Sequence, residues 1–176
     1  STQSRSSAAS DVYKRQALMA TPTYVLGMAE VARKQLGIDP ATDLQVRRIT
    51  CAGEPGALIA GTKARMEAAW GAKVFDHAGA TEIGAWGFEC EAQPGALHIN
   101  EAMFLAEVED LETGEPLTRP GKRGRLIITA LDRIAQPCIR FDSKDIVELS
   151  DSLCECGRTY RLLPGGVWAV QTTLPK

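Results

Sequence analysis

Apolar residues recur along the first part of the chain with the spacing of an α-helix. Thr21 and Pro22 are typical of a helix start, with threonine as the N-cap and proline at the first helical position, where its missing N–H is not needed. The apolar positions that follow three or four residues apart are Val25, Ala29, Ala32 and Leu36. Gly37 is expected to end the helix. The pattern predicts a packing helix from Pro22 to Leu36.

Two strand-like runs come next, with a second helical pattern between them. The run 47–52 is broken by Gly53-Glu54-Pro55-Gly56, so whatever follows must be a new element. Residues 57–70 form a helical pattern that Gly71 closes, and 73–76 is the second run. The order predicts a βαβ unit with parallel strands and a right-handed crossover.

The second strand leads into a sequence that combines small residues with a hydroxyl and a carboxylate. Residues 77–82 read His-Ala-Gly-Ala-Thr-Glu, and we expect them to form a tight loop after a buried strand. Small residues let a backbone approach a bulky anionic ligand. An alternative is that Thr81 and Glu82 begin a helix, because threonine is a good N-cap and glutamate suits a first turn.

The second half of the chain changes from helical to alternating patterns. Residues 103–109 alternate, 112–116 have turn composition, and 124–131 are strand-like, which predicts an antiparallel β region. The fold class is therefore α/β. We divide the chain into an α/β portion at 17–102, a β-rich subdomain at 103–163 and a tail at 164–176. The leader at 1–16 is Ser-rich and resembles translated adaptor sequence, so we expect it to be disordered and not native.

Composition narrows the function classes. The chain has 176 residues, 44% of them hydrophobic, and a net charge of −2 with a pI near 5.7. Scattered basic residues argue against nucleic acid as a partner, and no apolar run is long enough for a membrane span or a signal peptide. Five cysteines, an odd number, fit a reducing compartment, so we expect a cytoplasmic protein and consider metal binding.

Four segments resemble motifs of the adenylate-forming acyl-CoA ligases, and their surroundings are similar to the phenylacetate-CoA ligase group. They occur in the family's order within about 18–163. The segments are Thr21-Pro22-Thr23-Tyr24, Ala52-Gly53-Glu54-Pro55, Ala78-Gly79-Ala80-Thr81-Glu82 and Arg140-Phe141-Asp142-Ser143-Lys144-Asp145. The third resembles the Tyr-Gly-x-Ser/Thr-Glu signature, with Ala78 in place of tyrosine. Several ordered motifs indicate common ancestry better than one does.

The resemblance implies a fold and a reaction. The chain would be part of the large domain of an enzyme that joins a carboxylic acid to AMP and then transfers the acyl group to coenzyme A. The acid would be an aryl acid such as phenylacetate. Thr81 would hold a phosphate oxygen of ATP and Glu82 would hold Mg²⁺, a cation that prefers oxygen ligands.

The resemblance also implies the remaining ligand contacts. Gly53, Glu54, Pro55, Ala78 and Gly79 would surround the adenine and ribose. Tyr24 would border the acyl pocket. Ala78 stands where the family has a tyrosine that stacks on adenine, which removes a contribution of about 1 kcal/mol.

Asp145 would accept hydrogen bonds from both ribose hydroxyls, a geometry that suits a two-oxygen acceptor. The alternative is that Asp145 is an ordinary turn aspartate. Asp142, the other carboxylate of the same motif, does not occupy the matching position.

A second candidate site comprises Cys90, His98, Cys154 and Cys156. Together they supply the Cys₃His set that zinc binds tetrahedrally, and some members of the ligase group resemble this pattern. The alternatives are reduced thiols in surface turns or a strained disulfide between Cys154 and Cys156.

The resemblance leaves two family features without a match. Residues 1–20 contain no phosphate-binding loop, and no lysine-bearing small domain follows the tail. We therefore expect a central fragment of a ligase that is inactive by itself. The alternative function is a non-catalytic nucleotide- or acyl-binding homologue or half-domain.

Overall fold

The computed structural model of the protein describes residues 16–169. The predicted leader, apart from Gln16, and the end of the predicted tail from Val170 onwards lie outside the described residues. The chain forms two compact units that divide between Asp76 and His77. The division predicted at residue 103 stays a prediction, and it coincides with the place where the chain passes from one sheet to another.

The first unit contains a parallel sheet and its helices. Its strands are β1 (Ala17–Ala20), β2 (Arg48–Cys51) and the first half of β3 (Lys73–Ala80). Its helices are α1 (Pro22–Val31), which continues as a π-helical turn (Ala32–Leu36), then α2 (Pro40–Asp43) and α3 (Ala60–Trp70). Ile49 on β2 lies opposite Leu18 on β1 and Val74 on β3. The predicted βαβ unit with parallel strands is confirmed.

Helix α1 begins where predicted and its continuation ends where predicted, but the last turn is not α-helical. The Thr21 hydroxyl accepts a hydrogen bond from the Tyr24 amide, and Pro22 occupies the first helical position. Gly37 closes the segment with a left-handed φ of 65°. The last turn is π-helical, and Leu36 is 66% exposed rather than buried. The wider i→i+5 turn moves Leu36 off the apolar stripe.

Helix α3 begins three residues later than its pattern suggested. The amide of Ile59 donates to the Gly56 carbonyl in a turn, and Ala57 is buried before the helix starts. The other end is as predicted, with Gly71 at a φ of 61°. Trp70 packs inside the unit, where its indole N–H donates to the Val25 carbonyl at 2.9 Å. This bond fixes α3 against α1.

The second unit is antiparallel. In its first sheet the second half of β3 pairs with β4 (Gly84–Glu89), followed by β5 (Ala96–Ile99) and β9 (Leu162–Pro164). The other sheet has the order β10-β8-β7-β6. These strands are β6 (Phe104–Glu109), β7 (Arg123–Ala130), β8 (Phe141–Glu148) and β10 (Trp168–Ala169). The predicted α/β class with an antiparallel β region is confirmed.

Alternation along β6 sorts its side chains as the sequence indicated. Phe104, Ala106 and Val108 are buried, whereas Leu105 is half exposed. Successive side chains of a strand point to opposite faces, so one face of this sheet carries the apolar core. No helix in the described part of the chain is long and apolar enough to cross a membrane.

Candidate functional site

The Thr81 and Glu82 side chains lie on a tight turn between two antiparallel strands. Strand β3 continues through Ala80, so the loop predicted for 77–82 is wrong; only 81–83 form the turn that leads into β4. The chain can fold back this closely because Gly79 has no side chain. A Cβ atom there would lie 2.9 Å from the Gly84 carbonyl oxygen. A helix start at Thr81 is excluded, because a strand follows the turn.

A residue that sequence reasoning missed holds this turn. The Arg133 guanidinium, in the irregular segment after β7, donates a hydrogen bond to the Glu82 carbonyl. Thr81 and Glu82 are both exposed. The backbone of the turn is thus fixed while the hydroxyl and the carboxylate stay open to a ligand. No motif marks Arg133, since its partner is a main-chain atom 51 positions away.

Ala78 lies on β3, two residues before the end of the strand, and pairs with Gly87 on β4. A Cβ atom at Gly87 would lie 3.0 Å from the Cβ atom of Ala78. Two small residues therefore face each other at the motif position where Ala78 stands in place of a tyrosine.

Asp142 and Asp145 lie on the same strand, β8, in opposite electrostatic settings. Asp142 pairs with Lys144 and, at 3.6 Å, with Arg125. Although burial raises it, the hydrogen bonds from Lys144 and the charge of Arg125 leave the pKa of Asp142 below its usual range. The Asp142 carboxylate is therefore already paired with cationic side chains of the protein.

Asp145 has no cationic partner among the described residues. Burial, the largest effect, raises the pKa of Asp145, while a hydrogen bond from Ser143 lowers it and the charge of Asp142 raises it. The Asp145 amide donates to the Ser143 hydroxyl at 3.2 Å. Asp145 lies within the strand rather than in a turn. A desolvated carboxylate without a cation is suited to accept hydrogen bonds from a ligand.

The Gly53–Gly56 loop of the first unit contacts the start of α1. The Glu54 carboxylate accepts hydrogen bonds from the Thr23 amide at 3.0 Å and the Thr23 hydroxyl at 2.7 Å. Hydrogen bonds from Thr21, then Thr23, lower the pKa of Glu54. Gly53 has a φ of 89°, and Pro55 is exposed. Tyr24, the candidate acyl-pocket residue, is 69% exposed on the same turn of α1.

The four predicted metal ligands lie together in the second unit. Cys90 follows β4, His98 is on β5, and the two remaining cysteines lie between β8 and β9. Their ligand atoms are all within 4.8 Å of one another. The Sγ atoms of Cys90 and Cys154 are 3.5 Å apart, and Cys156 Sγ is 3.4 Å from His98 Nε2.

These separations fit a tetrahedral metal site. Zinc bond lengths place two sulfurs about 3.8 Å apart and a sulfur about 3.6 Å from an imidazole nitrogen. Cys154 and Cys156 are both free cysteines, so the alternative of a disulfide between them is wrong. Cys90, His98 and Cys154 are all buried, which removes the alternative of thiols in surface turns for these positions.

The groups around the cluster orient His98 and favour the thiolate form of Cys156. His98 Nδ1 lies 3.4 Å from the Tyr160 carbonyl oxygen. With the proton on Nδ1, the Nε2 lone pair faces the cysteines, the arrangement usual for a metal-binding histidine. Hydrogen bonds, first from the backbone N–H of Arg158, lower the pKa of Cys156 to about 6. The Arg158 guanidinium lies 5.7 Å from the ring of Phe88, which stacks on His98.

Comparison with known proteins decides the family. A phenylacetate-coenzyme A ligase of Thermus thermophilus is 33% identical over 150 residues, covering 84% of this chain and 33% of that protein. One of Aromatoleum evansii is 35% identical over 141 residues, covering 78% and 30%. The open conformation of 2-hydroxyisobutyryl-CoA ligase, in complex with 2-HIB-AMP and CoA, has a TM-score of 0.83 at 32% identity, covering 94% of this chain and 36% of that one. The chain belongs to the adenylate-forming acyl-CoA ligases, in the phenylacetate-CoA ligase-like group.

The chain spans about a third of the length of the relatives that it matches. No protein-family model matches it. The match to the 2-hydroxyisobutyryl-CoA ligase covers 94% of this chain, and so it extends over both of the chain's compact units. The family expected from the four motifs is thereby confirmed.

Proposed function

We propose that this protein is an ATP-dependent carboxylate-CoA ligase that forms an acyl-adenylate and then an acyl-CoA thioester. The observation that carries the proposal is the match, at 32% identity, to a CoA ligase whose structure contains an acyl-AMP and CoA. The exposed Thr81–Glu82 turn and the desolvated Asp145 carboxylate are chemically suited to the same ligands.

The reaction consists of two displacements. In the first, a carboxylate oxygen of the acid attacks the α-phosphorus of ATP, and pyrophosphate leaves with the electron pair of the broken P–O bond. In the second, the CoA thiolate attacks the acyl carbon, a C–S bond forms, and AMP leaves. Catalysis of the first step depends on positioning and on compensation of charge at phosphorus.

Thr81 and Glu82 are assigned to the phosphates. The Thr81 hydroxyl would donate a hydrogen bond to a phosphate oxygen of ATP. Glu82 would hold Mg²⁺, which supplies charge compensation when bound; an exposed carboxylate fits this cation, because Mg²⁺ takes oxygen ligands and keeps several waters. Arg133 keeps the backbone of this turn in place through the Glu82 carbonyl.

Asp145 is assigned to the ribose of ATP, where its two oxygens accept from the two hydroxyls. The backbone at Gly53, Pro55 and Gly79 is assigned to the adenine side of the nucleotide. Ala78 leaves one face of the adenine without an aromatic partner, so we expect weaker nucleotide binding than in a ligase with tyrosine there.

The acid is proposed to be an aryl acid such as phenylacetate. The curated relatives are named phenylacetate-coenzyme A ligases, whereas the structural relative is named for the small branched acid 2-hydroxyisobutyrate. Tyr24 is proposed to contact the acid. Phenylacetate and 2-hydroxyisobutyrate differ in shape, so comparing the activity with each acid tests which class of acid is the substrate.

The experiment is to express the complete reading frame that encodes this chain and supply it with ATP, Mg²⁺ and CoA. Phenylacetate, benzoate, 2-hydroxyisobutyrate and acetate are tested separately, and acyl-CoA is detected by mass spectrometry. Formation of phenylacetyl-CoA in preference to the aliphatic thioesters is expected. ATP binding without any thioester would favour a non-catalytic binding protein, an alternative that the missing ring at Ala78 also favours.

We also propose that Cys90, His98, Cys154 and Cys156 hold a structural zinc ion. The support is the separation of the ligand atoms, the burial of three of the four residues, and the His98 contact to Tyr160. Four protein ligands leave no open position for water, so the ion would join the chain after β4 to the chain after β8 without taking part in the reaction. A reducing cytoplasm, where thiols persist, is part of this proposal.

A further inference from the structure

The carboxylate of Glu54 lies at the surface and is hydrogen-bonded to another segment of the chain. One oxygen accepts from the Thr23 amide at 3.0 Å, and the other accepts from the Thr23 hydroxyl at 2.7 Å. A carboxylate that accepts hydrogen bonds on both of its oxygens is held in one orientation. Glu54 is therefore bonded to α1 across 31 positions of sequence.

These bonds complete the cap of α1. The first amides of a helix have no partner within the helix. Thr21 satisfies the Tyr24 amide from its own segment, and Glu54 satisfies the Thr23 amide from the loop after β2. A negative charge at this end also interacts favourably with the helix dipole.

The loop backbone packs directly against the same helix end. A Cβ atom at Gly56 would lie 2.6 Å from the Cβ atom of Pro22, and one at Gly53 would lie 3.6 Å from the Thr21 methyl group. Gly56 is buried. Hydrogen bonds at Glu54 and close packing at Gly56 thus fix the loop to the start of α1 from both sides of Pro55.

We propose that Glu54 is a positioning residue that locks the loop at 53–56 to the first turn of α1. This contact fixes the position of the loop relative to Tyr24. The loop is assigned to the nucleotide, and Tyr24 is assigned to the acid. The inference rests on the proposed ligase function. Glu54 then affects both substrates without touching either of them, and its side chain is not a nucleotide ligand.

The first test is amide hydrogen exchange of the 176-residue chain by NMR, comparing wild type with Glu54→Ala, Glu54→Gln and Glu30→Ala. Glu30 is the matched control, since it lies on α1 and, within residues 16–169, pairs only with the exposed Lys34. We expect exchange of the Thr23 amide to accelerate about tenfold in Glu54→Ala, because a hydrogen bond to a charged group is lost. Glu54→Gln keeps one acceptor oxygen and should give an intermediate rate. An unchanged Thr23 rate in Glu54→Ala overturns the inference.

The second test measures kinetics with the complete reading frame. We expect Glu54→Ala to raise the KM for the acid and the KM for ATP together, each about fivefold or more, because misplaced groups bind a substrate less well. Glu54→Gln should recover part of the loss. A merely structural role would lower the folded fraction, and so the apparent kcat, with both KM values unchanged; that result contradicts the inference. If the wild type forms no acyl-CoA with any acid, the ligase proposal fails with this kinetic part, and the Thr23 exchange rate still shows whether Glu54 fixes the helix end.

Discussion

The Nε2 atom of His98 lies 3.4 Å from the Sγ atom of Cys156, although the two residues are 58 positions apart in the sequence. The contact joins the middle of β5 to the segment that follows β8. Cys90 and Cys154 meet in the same place, with their sulfurs 3.5 Å apart. Three thiols and one imidazole at tetrahedral spacing are an arrangement typical of structural zinc.

The first prediction concerns the metal content. Protein purified without chelator should contain about one zinc ion per chain, as the four-ligand count requires. Cys154→Ser should lose the metal and lower the melting temperature. Cys138→Ser, which changes a cysteine outside the cluster, is the matched control and should keep both. Elemental analysis and calorimetry check this prediction. Wild-type protein that is free of metal and still melts at the same temperature as metal-loaded protein would contradict it.

A second prediction concerns the pH dependence of stability. Burial raises the pKa of Asp145, so the folded state holds this proton more tightly than the unfolded chain. The stability that Asp145 contributes is therefore lost as the pH rises from its pKa in the unfolded chain through its higher pKa in the folded state. At neutral pH this contribution is still absent. Asp145→Asn should raise the free energy of unfolding at pH 7 by an amount on the order of 1 kcal/mol. Denaturant titrations at several pH values measure this.

Asp142→Asn is the matched control for Asp145→Asn. The pKa of Asp142 is lowered, so the effect of its substitution on the free energy of unfolding should have the opposite sign. The ionised carboxylate of Asp142 contributes stability above its unfolded pKa, and that contribution disappears as the pH falls through the folded pKa. The variant should be less stable than wild type at pH 7 and equal to it in strong acid. If both substitutions changed the free energy of unfolding at pH 7 in the same direction, the electrostatic environments of Asp142 and Asp145 would be misassigned.

The third prediction separates the roles of Glu82 and Asp145 in the complete reading frame. Glu82→Gln should lower the adenylation rate about 100-fold through lost charge compensation, with ATP affinity nearly unchanged. Asp145→Ala should mainly weaken ATP binding. Single-turnover rates and equilibrium ATP titrations distinguish the two effects. Wild-type values for both variants would show that these residues do not serve the reaction.

A fourth prediction follows from the small residue at position 78. Ala78→Tyr should place a ring beside the adenine, and stacking worth about 1 kcal/mol corresponds to a KM for ATP about fivefold lower. Gly87 across the strand pair leaves room beside this position. Ala85→Tyr, at an exposed position of β4, is the control and should leave the KM unchanged. An equal or higher KM in Ala78→Tyr would show that adenine does not bind against this residue.

The sequence predicted the elements whose signals are local. Thr21 with Pro22 marked the start of α1, Gly37 and Gly71 marked helix ends, and alternation marked β6; the structure confirms each of these. The four cysteine and histidine positions were chosen from residue chemistry and from their resemblance to a pattern in some members of the ligase group, and the structure brings them together.

The sequence did not predict features that depend on distant partners. Residues 77–80 have turn composition, yet they form a strand because Gly79 lets the β4 backbone approach. Arg133 reaches a main-chain carbonyl, which leaves no trace in side-chain patterns. The contrast between Asp142 and Asp145 comes from burial and from Arg125 on another strand. The motif separates the two carboxylates by position, but spacing along one strand does not predict that their pKa values shift in opposite directions.

The most direct test of the ligase proposal is exchange of labelled pyrophosphate into ATP, catalysed by the complete reading frame in the presence of a carboxylic acid. This exchange reports the first chemical step without CoA. We predict exchange that requires Mg²⁺, depends on the acid, is greatest with an aryl acid such as phenylacetate, and is strongly reduced in Glu82→Gln. Folded, zinc-loaded protein that catalyses no acid-dependent exchange with any of a broad panel of aryl and aliphatic acids would contradict the account.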